Sequence, residues 1–527
     1  MKKLNIILNN KYLWWFILFL ILAILFLPIL EIKFSWIDDA KDILVSRQVA
    51  ESLKNFNPDG LKTIFFEGNG RLRVVYWFYQ TFEYLIGGTN ATIHFAIHIF
   101  VILATSLFIF ETVRVITNSK FAGFFSGALY LLVPINTENI FRLGPVEPIL
   151  ALFSSASLYF LFKNKLSLSV VFLFLAAYSK ETGFVLWLPI LLAYVLERFL
   201  YKKRNVLFEK YCLWGFIFLF PVVVSSLLRR TGYSTNYEFV VVEMAKRLFS
   251  YIDMLLKSFA PFLGIFVITY LTRLIWFMKK HTDKKYGLRF IAQGIFIGIF
   301  LVFVSVQAPW KYVLERYMMP ATIGLVVFLG IELAQLNKLV NKNWSIRKIA
   351  TLIFIGYFLI ACMGNLVRVF ILGQRVAYET NSIHSMVSYV ARNSPENSKV
   401  VFNFITGEST IELVNGSRHL LTELYSRHDI ATGYLNIDLI GPDTSFIIGR
   451  TGIRAQYSEA DLEDKISYSS KDVLFREKRF PVITTPDNLV KQLIKKVYRK
   501  VRYEEDLTLD GIYTQYIAVS RWYFYKL

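Results

Sequence analysis

The chain has 527 residues, 55% of them hydrophobic and 17% aromatic, with only 19% charged and a net charge of +20. Soluble domains are typically about 45–50% apolar and about 25% charged, so this composition excludes a disordered chain, a fibrous one and an ordinary cytosolic enzyme. Two cysteines, Cys212 and Cys362, both in apolar runs, exclude a disulfide framework and a cysteine-based metal centre.

A helix needs about 20 consecutive apolar residues to cross a bilayer core. Residues 12–30 form the first such run; the flank is short and no small-residue cleavage site follows, so it reads as an uncleaved span. Residues 31–90 make a long first outer loop. Within it, ILVSRQVAESLKNF reads as a helix on the membrane surface, and RLRVVYWFYQTFEYLIG as a second one or as the start of the next span. Further runs lie at 92–110, 121–134, 146–162, 166–179, 183–197, 211–228, 255–278, 289–307, 317–335 and 349–370. The expected architecture for residues 1–372 is thus an α-helical polytopic membrane domain of about eleven transmembrane helices.

Alternate loops are basic, which orients the chain. Arg114 and Lys120, Lys163 and Lys165, the run Arg198 to Lys210, Lys279 to Lys285, and Lys338 to Lys348 all fall on the side of the N-terminus. The N-terminus is therefore expected in the cytoplasm and the C-terminus outside. This placement of base points to membrane lipid and not to nucleic acid. From about residue 373 the composition turns polar, with NSPENS, NGS, GPDTS and TTPDN as turn signals. KVVFNF and SFIIGR read as buried strands, STIELVNGSRHLLTELYSRH and PDNLVKQLIKKVYRKVRYEED as amphipathic helices, and GIYTQYIAVSRWYFYKL as a closing strand pattern. Residues 373–527 are expected to form a small α/β extracytoplasmic domain.

Charge beside an apolar slab is costly and marks function. Four clusters fall on the outer side of this topology. Asp38-Asp39 follows the first span; adjacent carboxylates can act as a base, and an Asp here can also cap the helix that follows, so that one caps while the other works. Asn136-Thr137-Glu138-Asn139, with Arg142 and Glu147, sits between two spans and reads either as a polar turn or as a site. Ser179-Lys180-Glu181-Thr182-Gly183 puts a Lys-Glu pair between apolar stretches, either as a structural ion pair or as a working one. Glu315-Arg316-Tyr317 opens a late span, where Arg can hold a phosphate and Tyr can anchor at the interface. His94 and His98 share a helix face at i,i+4; a third ligand at matching spacing is missing, so no metal is assigned. There is no nucleotide-phosphate cradle of the GxxxxGK[ST] or GxGxxG kind.

These clusters, in order, resemble the polytopic GT-C fold glycosyltransferases, the superfamily of protein O-mannosyltransferases and lipid A aminoarabinose transferases. The closest likeness is to the transmembrane O-mannosyltransferase branch that carries TPR repeats in animals, although the tail here has no TPR pattern. The matching segments are FSWIDDA, GRLR, IHFAIHIF, VPINTENIFRLGPVEPILALF, YSKETGFVLWLP and ERYMMP, spanning roughly residues 30–325. Arg71-Leu72-Arg73 stands where the family carries Arg-Pro, and there is no WWD motif of the oligosaccharyltransferase subunits. The resemblance implies an inverting glycosyltransferase that moves a sugar from a polyprenyl-phosphate carrier to an acceptor hydroxyl on the outer face of the membrane; the absent cysteine framework and compact form lead to the expectation of a bacterial plasma membrane. It implies Asp38 as base with Asp39 second, Lys180, Arg316, and Arg142 or Arg71 on the donor phosphate, and Glu138, Glu181, Tyr317, His94 and His98 as sugar-binding or orienting groups. No cofactor is implied and a divalent metal is not indicated. The expected partners are the lipid-linked donor, membrane lipids and an acceptor that is protein, lipid or glycan. Two other readings stay open: a lipid-linked sugar flippase or transporter, and a non-catalytic membrane scaffold.

Overall fold

The computed structural model describes residues 11–25, 29, 32–35, 39–58, 62, 64, 72–201, 206–228, 240–279, 287–310, 313–339, 344–402, 408–434, 444–450, 456 and 522–526. The helices over these residues are α1 (Lys11–Leu25), α2 (Asp39–Lys54), α3 (Val74–Gly87), α4 (Ala91–Thr117), α5 (Lys120–Leu132), α6 (Thr137–Phe141), α7 (Glu147–Phe162), α8 (Leu166–Ser179), α9 (Trp187–Tyr201), α10 (Val206–Leu228), α11 (Val241–Lys279), α12 (Gly287–Gln307), α13 (Met319–Leu339), α14 (Trp344–Asn393) and α15 (Glu408–Tyr425). Most of the apolar runs read from the sequence fall within these helices; residues 26–28 and 30 of the first lie outside the described residues, and that at 183–197 begins in a 3-10 turn before α9. The surface segment ILVSRQVAESLKNF lies in α2, and RLRVVYWFYQTFEYLIG leads into α3 as a helix of its own.

Local chemistry sets the helix ends. Asn90 caps α4 by accepting the Thr92 N–H. Asn118 then stops α4 with a left-handed φ of 59°, and Ser119 caps α5 by accepting the Ala122 N–H. Pro134 follows α5, and the chain tightens into a 3-10 turn, Pro134–Asn136. Two more 3-10 turns matter for the site: Glu181–Leu186 between α8 and α9, and Glu315–Met318 before α13.

One hydrophobic core runs through α1, α4, α5, α7, α8, α12 and α13. α7 packs on α8, α12 on α13, and α4 on both α5 and α7. α12 and α13 touch backbone to backbone at Gly324, where an added Cβ would lie 2.4 Å from the Phe296 carbonyl oxygen. The outward faces of the bundle are apolar too: Phe100 of α4 is 70% exposed, and Phe16 of α1, Leu192 of α9 and Leu213, Phe216 and Phe220 of α10 all stand out from it. Helices that are apolar all round, in a bundle with a filled core, belong in lipid.

Of about eleven expected spans, two helices among the described residues are by themselves long and apolar enough to cross a membrane, Ala91–Thr117 and Glu315–Ala334. Six shorter apolar helices accompany them. The brevity of α5, α7 and α8 has a local cause: they end or begin at the polar turns around residues 134–147 and 180–186. At 1.5 Å per residue, the 13 residues of α5 rise only about 20 Å.

The C-terminal part holds a four-stranded sheet of β1 (Lys399–Phe402), β2 (Ala431–Tyr434), β3 (Thr444–Arg450) and β4 (Trp522–Lys526), in the order β2-β1-β3-β4. β1 is parallel to both β2 and β3, and β4 is antiparallel to β3. α15 packs on β2 and on α2. Arg427 donates to Asp429 at 2.8 Å and to the carbonyls of Ser394 and Pro395, closing the turn into β2; its guanidinium holds the Asp429 carboxyl well below the usual range. The expected domain start at 373 falls inside α14, which runs without a break from the bundle to the sheet. The expected helix over 486–506 lies outside the described residues.

Candidate active site

The charged residues of the bundle meet at one end. α7 starts there with Glu147 and α8 ends there at Lys180, because both helices have their basic turn, Lys163 and Lys165, at the far end. Lys180 Nζ donates to Glu147 Oε1, and the pair is buried: the Glu147 side chain is 3% exposed. The same ammonium lies 4.3 Å above the Tyr317 ring, which ties the Lys-Glu turn to the turn before α13. Arg316, beside it, lies over the same ring at 5.5 Å.

Glu138 collects two guanidinium groups. Arg142 Nη1 donates to Glu138 Oε1 at 2.5 Å, and Arg316 Nη1 lies 3.8 Å from the same oxygen. Glu138 is 28% exposed, so this three-charge group faces accessible space, and Tyr317 links it to the buried Lys180–Glu147 pair. Arg73 Nε donates to Glu181 Oε2 at 3.2 Å, bringing the start of α3 to the same turn. Gly183 lets that turn close on α8: a Cβ there would sit 2.5 Å from the Ala176 carbonyl oxygen.

A backbone relay positions Arg316. Asn139 Nδ2 donates to the Arg316 carbonyl at 2.7 Å, and the Asn139 carbonyl accepts from His98 Nε2 at 2.7 Å. α11 supports the same loop. Tyr251 accepts the Leu314 N–H at 3.3 Å, and the buried Arg247 reaches the Ala308 and Pro309 carbonyls.

Asp39 is 2% exposed. Its Oδ2 accepts the Ser35 N–H and its Oδ1 the Gly144 N–H, both at 2.8 Å. It thereby fastens the start of α2 to the turn that carries Arg142. One turn on, Asp42 Oδ2 and the Gly144 carbonyl both lie near the Tyr76 hydroxyl, at 2.5 and 2.9 Å. The acid loop and the arginine turn are thus locked together by Asp39, Asp42 and Tyr76.

Of the residues expected at the site, Lys180, Arg316, Arg142, Glu138, Glu181 and Tyr317 come together at this end of the bundle, and Asp39 borders them. Asp38 and Arg71 lie outside the described residues; Arg73, two positions on, holds the contact to Glu181. His98 acts through Asn139. His94 faces elsewhere, with Nε2 2.9 Å from the Gly88 carbonyl and Nδ1 3.7 Å from Glu83, whose other oxygen accepts from Tyr79. Among the described residues no group of three His, Cys, Asp or Glu side chains is arranged to hold a metal ion. The partners of Glu147, Asn139, Tyr76 and Asp42 lie 33 to 177 positions away; Asn139 and Glu147 belong to a cluster legible in the sequence, whereas no local pattern announces Tyr76 and Asp42.

No family model and no curated protein matches this sequence. Solved structures do share its shape. The aminoarabinose transferase ArnT from Cupriavidus metallidurans, bound to undecaprenyl phosphate, has a TM-score of 0.51 at 12% identity, over 82% of this chain and 92% of its own. The apo state of the same protein gives 0.50 at 12% identity, over 81% and 91%. The Archaeoglobus fulgidus oligosaccharyltransferase in its apo form gives 0.50 at 9% identity, over 84% of this chain and 70% of its own. Both are GT-C fold glycosyltransferases, and the chain has the GT-C fold.

Proposed function

We propose that the protein is an inverting glycosyltransferase that takes a sugar from a polyprenyl-phosphate carrier and passes it to an acceptor hydroxyl on the extracytoplasmic face of the plasma membrane. The observation that carries this reading is the layer of cations, Lys180, Arg73, Arg142 and Arg316, gathered at one end of an apolar bundle with the fold of a transferase solved with undecaprenyl phosphate. A lipid phosphate has its tail in the bilayer and its charge at the surface. A cationic layer at the helix ends, backed by lipid-facing helices, matches both parts.

The chemistry follows from charge. The acceptor hydroxyl gives its proton to a carboxylate as its oxygen attacks the anomeric carbon from the face opposite the phosphate. The bond from that carbon to the phosphate oxygen breaks, and its electron pair stays on the phosphate. Negative charge grows there in the transition state, so fixed cations stabilise that state more than the bound donor. Glu147, Glu138 and Glu181 hold the cations in place, so little reorganisation is needed when charge develops. Asp38 is the proposed base. Asp39 aligns its loop, because both of its oxygens already accept backbone N–H groups.

The test is a product mass. Membranes holding the protein, given a polyprenyl-phosphate sugar, are expected to yield an acceptor heavier by one sugar residue together with free polyprenyl phosphate. Movement of the intact lipid-linked sugar across vesicles without any new covalent product would support a flippase instead.

A further inference from the structure

We infer that α14 and α15 form a positioning device for the acid loop, with His384 and Thr380 as positioning residues for the reaction proposed above, on which this inference rests. Residues 32–35, upstream of the acid pair, have no regular secondary structure. Ile32 and Phe34 are buried, each 1% exposed, while Lys33 points out. Successive backbone groups of the segment are held from outside it. The Lys33 N–H donates to Thr380 Oγ1 at 3.1 Å, the Phe34 carbonyl accepts from His384 Nε2 at 3.0 Å, and the Ser35 N–H donates to Asp39. Thr380 and His384 are one helical turn apart on α14, so a single rigid face makes both contacts. The Phe34 ring meets His94 edge-on at 5.3 Å from the opposite side.

The second hold is on α2. Arg47 reaches Glu423 of α15 at 3.1 Å, and the Glu423 side chain is 2% exposed. The loop that begins with the acid pair is thus gripped at its entry by α14 and on its helix by α15, whereas the cation layer is built from α3, α6, α7, α8 and the turn before α13. α14 continues directly into β1 through residues 394–398. Residues 33–34 and α2 are therefore held by the C-terminal part as well as by the Gly144 turn, whereas the cations are held from elsewhere in the bundle. Burial drives the His384 imidazole down to about 4, against the pull of the Phe34 carbonyl toward the charged form. It is therefore neutral at physiological pH, with its Nε2–H on that carbonyl.

Shifting a reacting group by about 1 Å can cost on the order of 10²-fold in rate. His384→Ala in the full-length protein is expected to lower kcat at least about ten-fold, with undecaprenyl phosphate binding within about two-fold of native, because the cation layer is untouched. His384→Gln, whose amide can donate to the same carbonyl, should recover most of that loss. Thr380→Val should lose rate in the same way, and Thr380→Ser should keep it. Amide hydrogen exchange gives a readout that needs no turnover: protection at residues 33–35 should fall in His384→Ala and Thr380→Val, but hold in the Gln and Ser variants. Unchanged kcat and unchanged protection in His384→Ala would overturn the inference. So would losses that the Gln variant fails to recover and that track a general drop in thermal stability. If the native protein transfers no sugar, the proposed function fails, and the exchange pattern still decides whether α14 holds the loop.

Discussion

Lys180→Met is expected to both unfold and silence the protein, and a second substitution separates the two effects. The ammonium and Glu147 form a buried pair, and removing one partner strands the other charge away from water. Breaking such a pair costs about 3–5 kcal/mol. Part of the expected loss of transfer in Lys180→Met is therefore instability. Adding Glu147→Gln removes the stranded charge, so the double variant should regain most of its thermal stability in detergent or nanodiscs. It should not regain transfer, since a cation proposed to bind the donor phosphate is still missing. A double variant that recovers both properties would show that the pair is only structural.

The acid pair yields the second large effect, and its two members should separate. Asp38→Asn is expected to lower transfer about 10²–10⁴-fold, the usual worth of a positioned base, with thermal unfolding unchanged. Asp39→Asn should behave differently. Asp39 accepts two backbone N–H groups, and an amide can accept at only one of those places, so one buried donor is orphaned at a cost of about 1–3 kcal/mol. Its transfer should fall together with its melting temperature. Equal effects of the two substitutions on rate, with stability intact in both, would place Asp39 in the chemistry instead. Rates and melting curves of the two variants, measured in the same membranes, check this directly.

Much of the fold was legible because it rests on local rules. Most long apolar runs lie in helices, and α2 begins at Asp39. KVVF and SFIIGR became neighbouring strands, since a short β-rich run between turn signals has few other fates. β2 was not legible: ATGY is four residues long and carries a glycine, and it is a strand only because β1 lies beside it. The domain start at 373 was read from a change in composition. Helical pattern persists to Asn393, and Ser394-Pro395 is what ends it.

The site was legible as a set of residues, but its pairings were not. Glu147 stood in a polar turn and Lys180 in another, 33 positions on. Nothing in either segment says that they meet. The i,i+4 spacing put His94 and His98 on one helix face, yet their partners differ, Gly88 and Glu83 for one and Asn139 for the other. The contact of Arg73 with Glu181, which spans 108 positions, is hidden for a similar reason. Pairings of this kind are set by helix packing, and helix packing is not written in any one window of sequence.

The account turns on the cation layer receiving a lipid-borne phosphate. The direct measurement is the affinity of the protein in nanodiscs for undecaprenyl phosphate, compared between the native chain and Arg316→Ala, with dephosphorylated undecaprenol as control. Arg316 shares Glu138 with Arg142 at the accessible edge of the layer, so its loss should leave the fold intact. Binding of the phosphate form is predicted to weaken at least about ten-fold in Arg316→Ala, as for the loss of one charge-assisted hydrogen bond, with undecaprenol binding weakly to both proteins. Equal affinity of the native chain for the phosphate and the alcohol, unchanged by the substitution, would contradict the account.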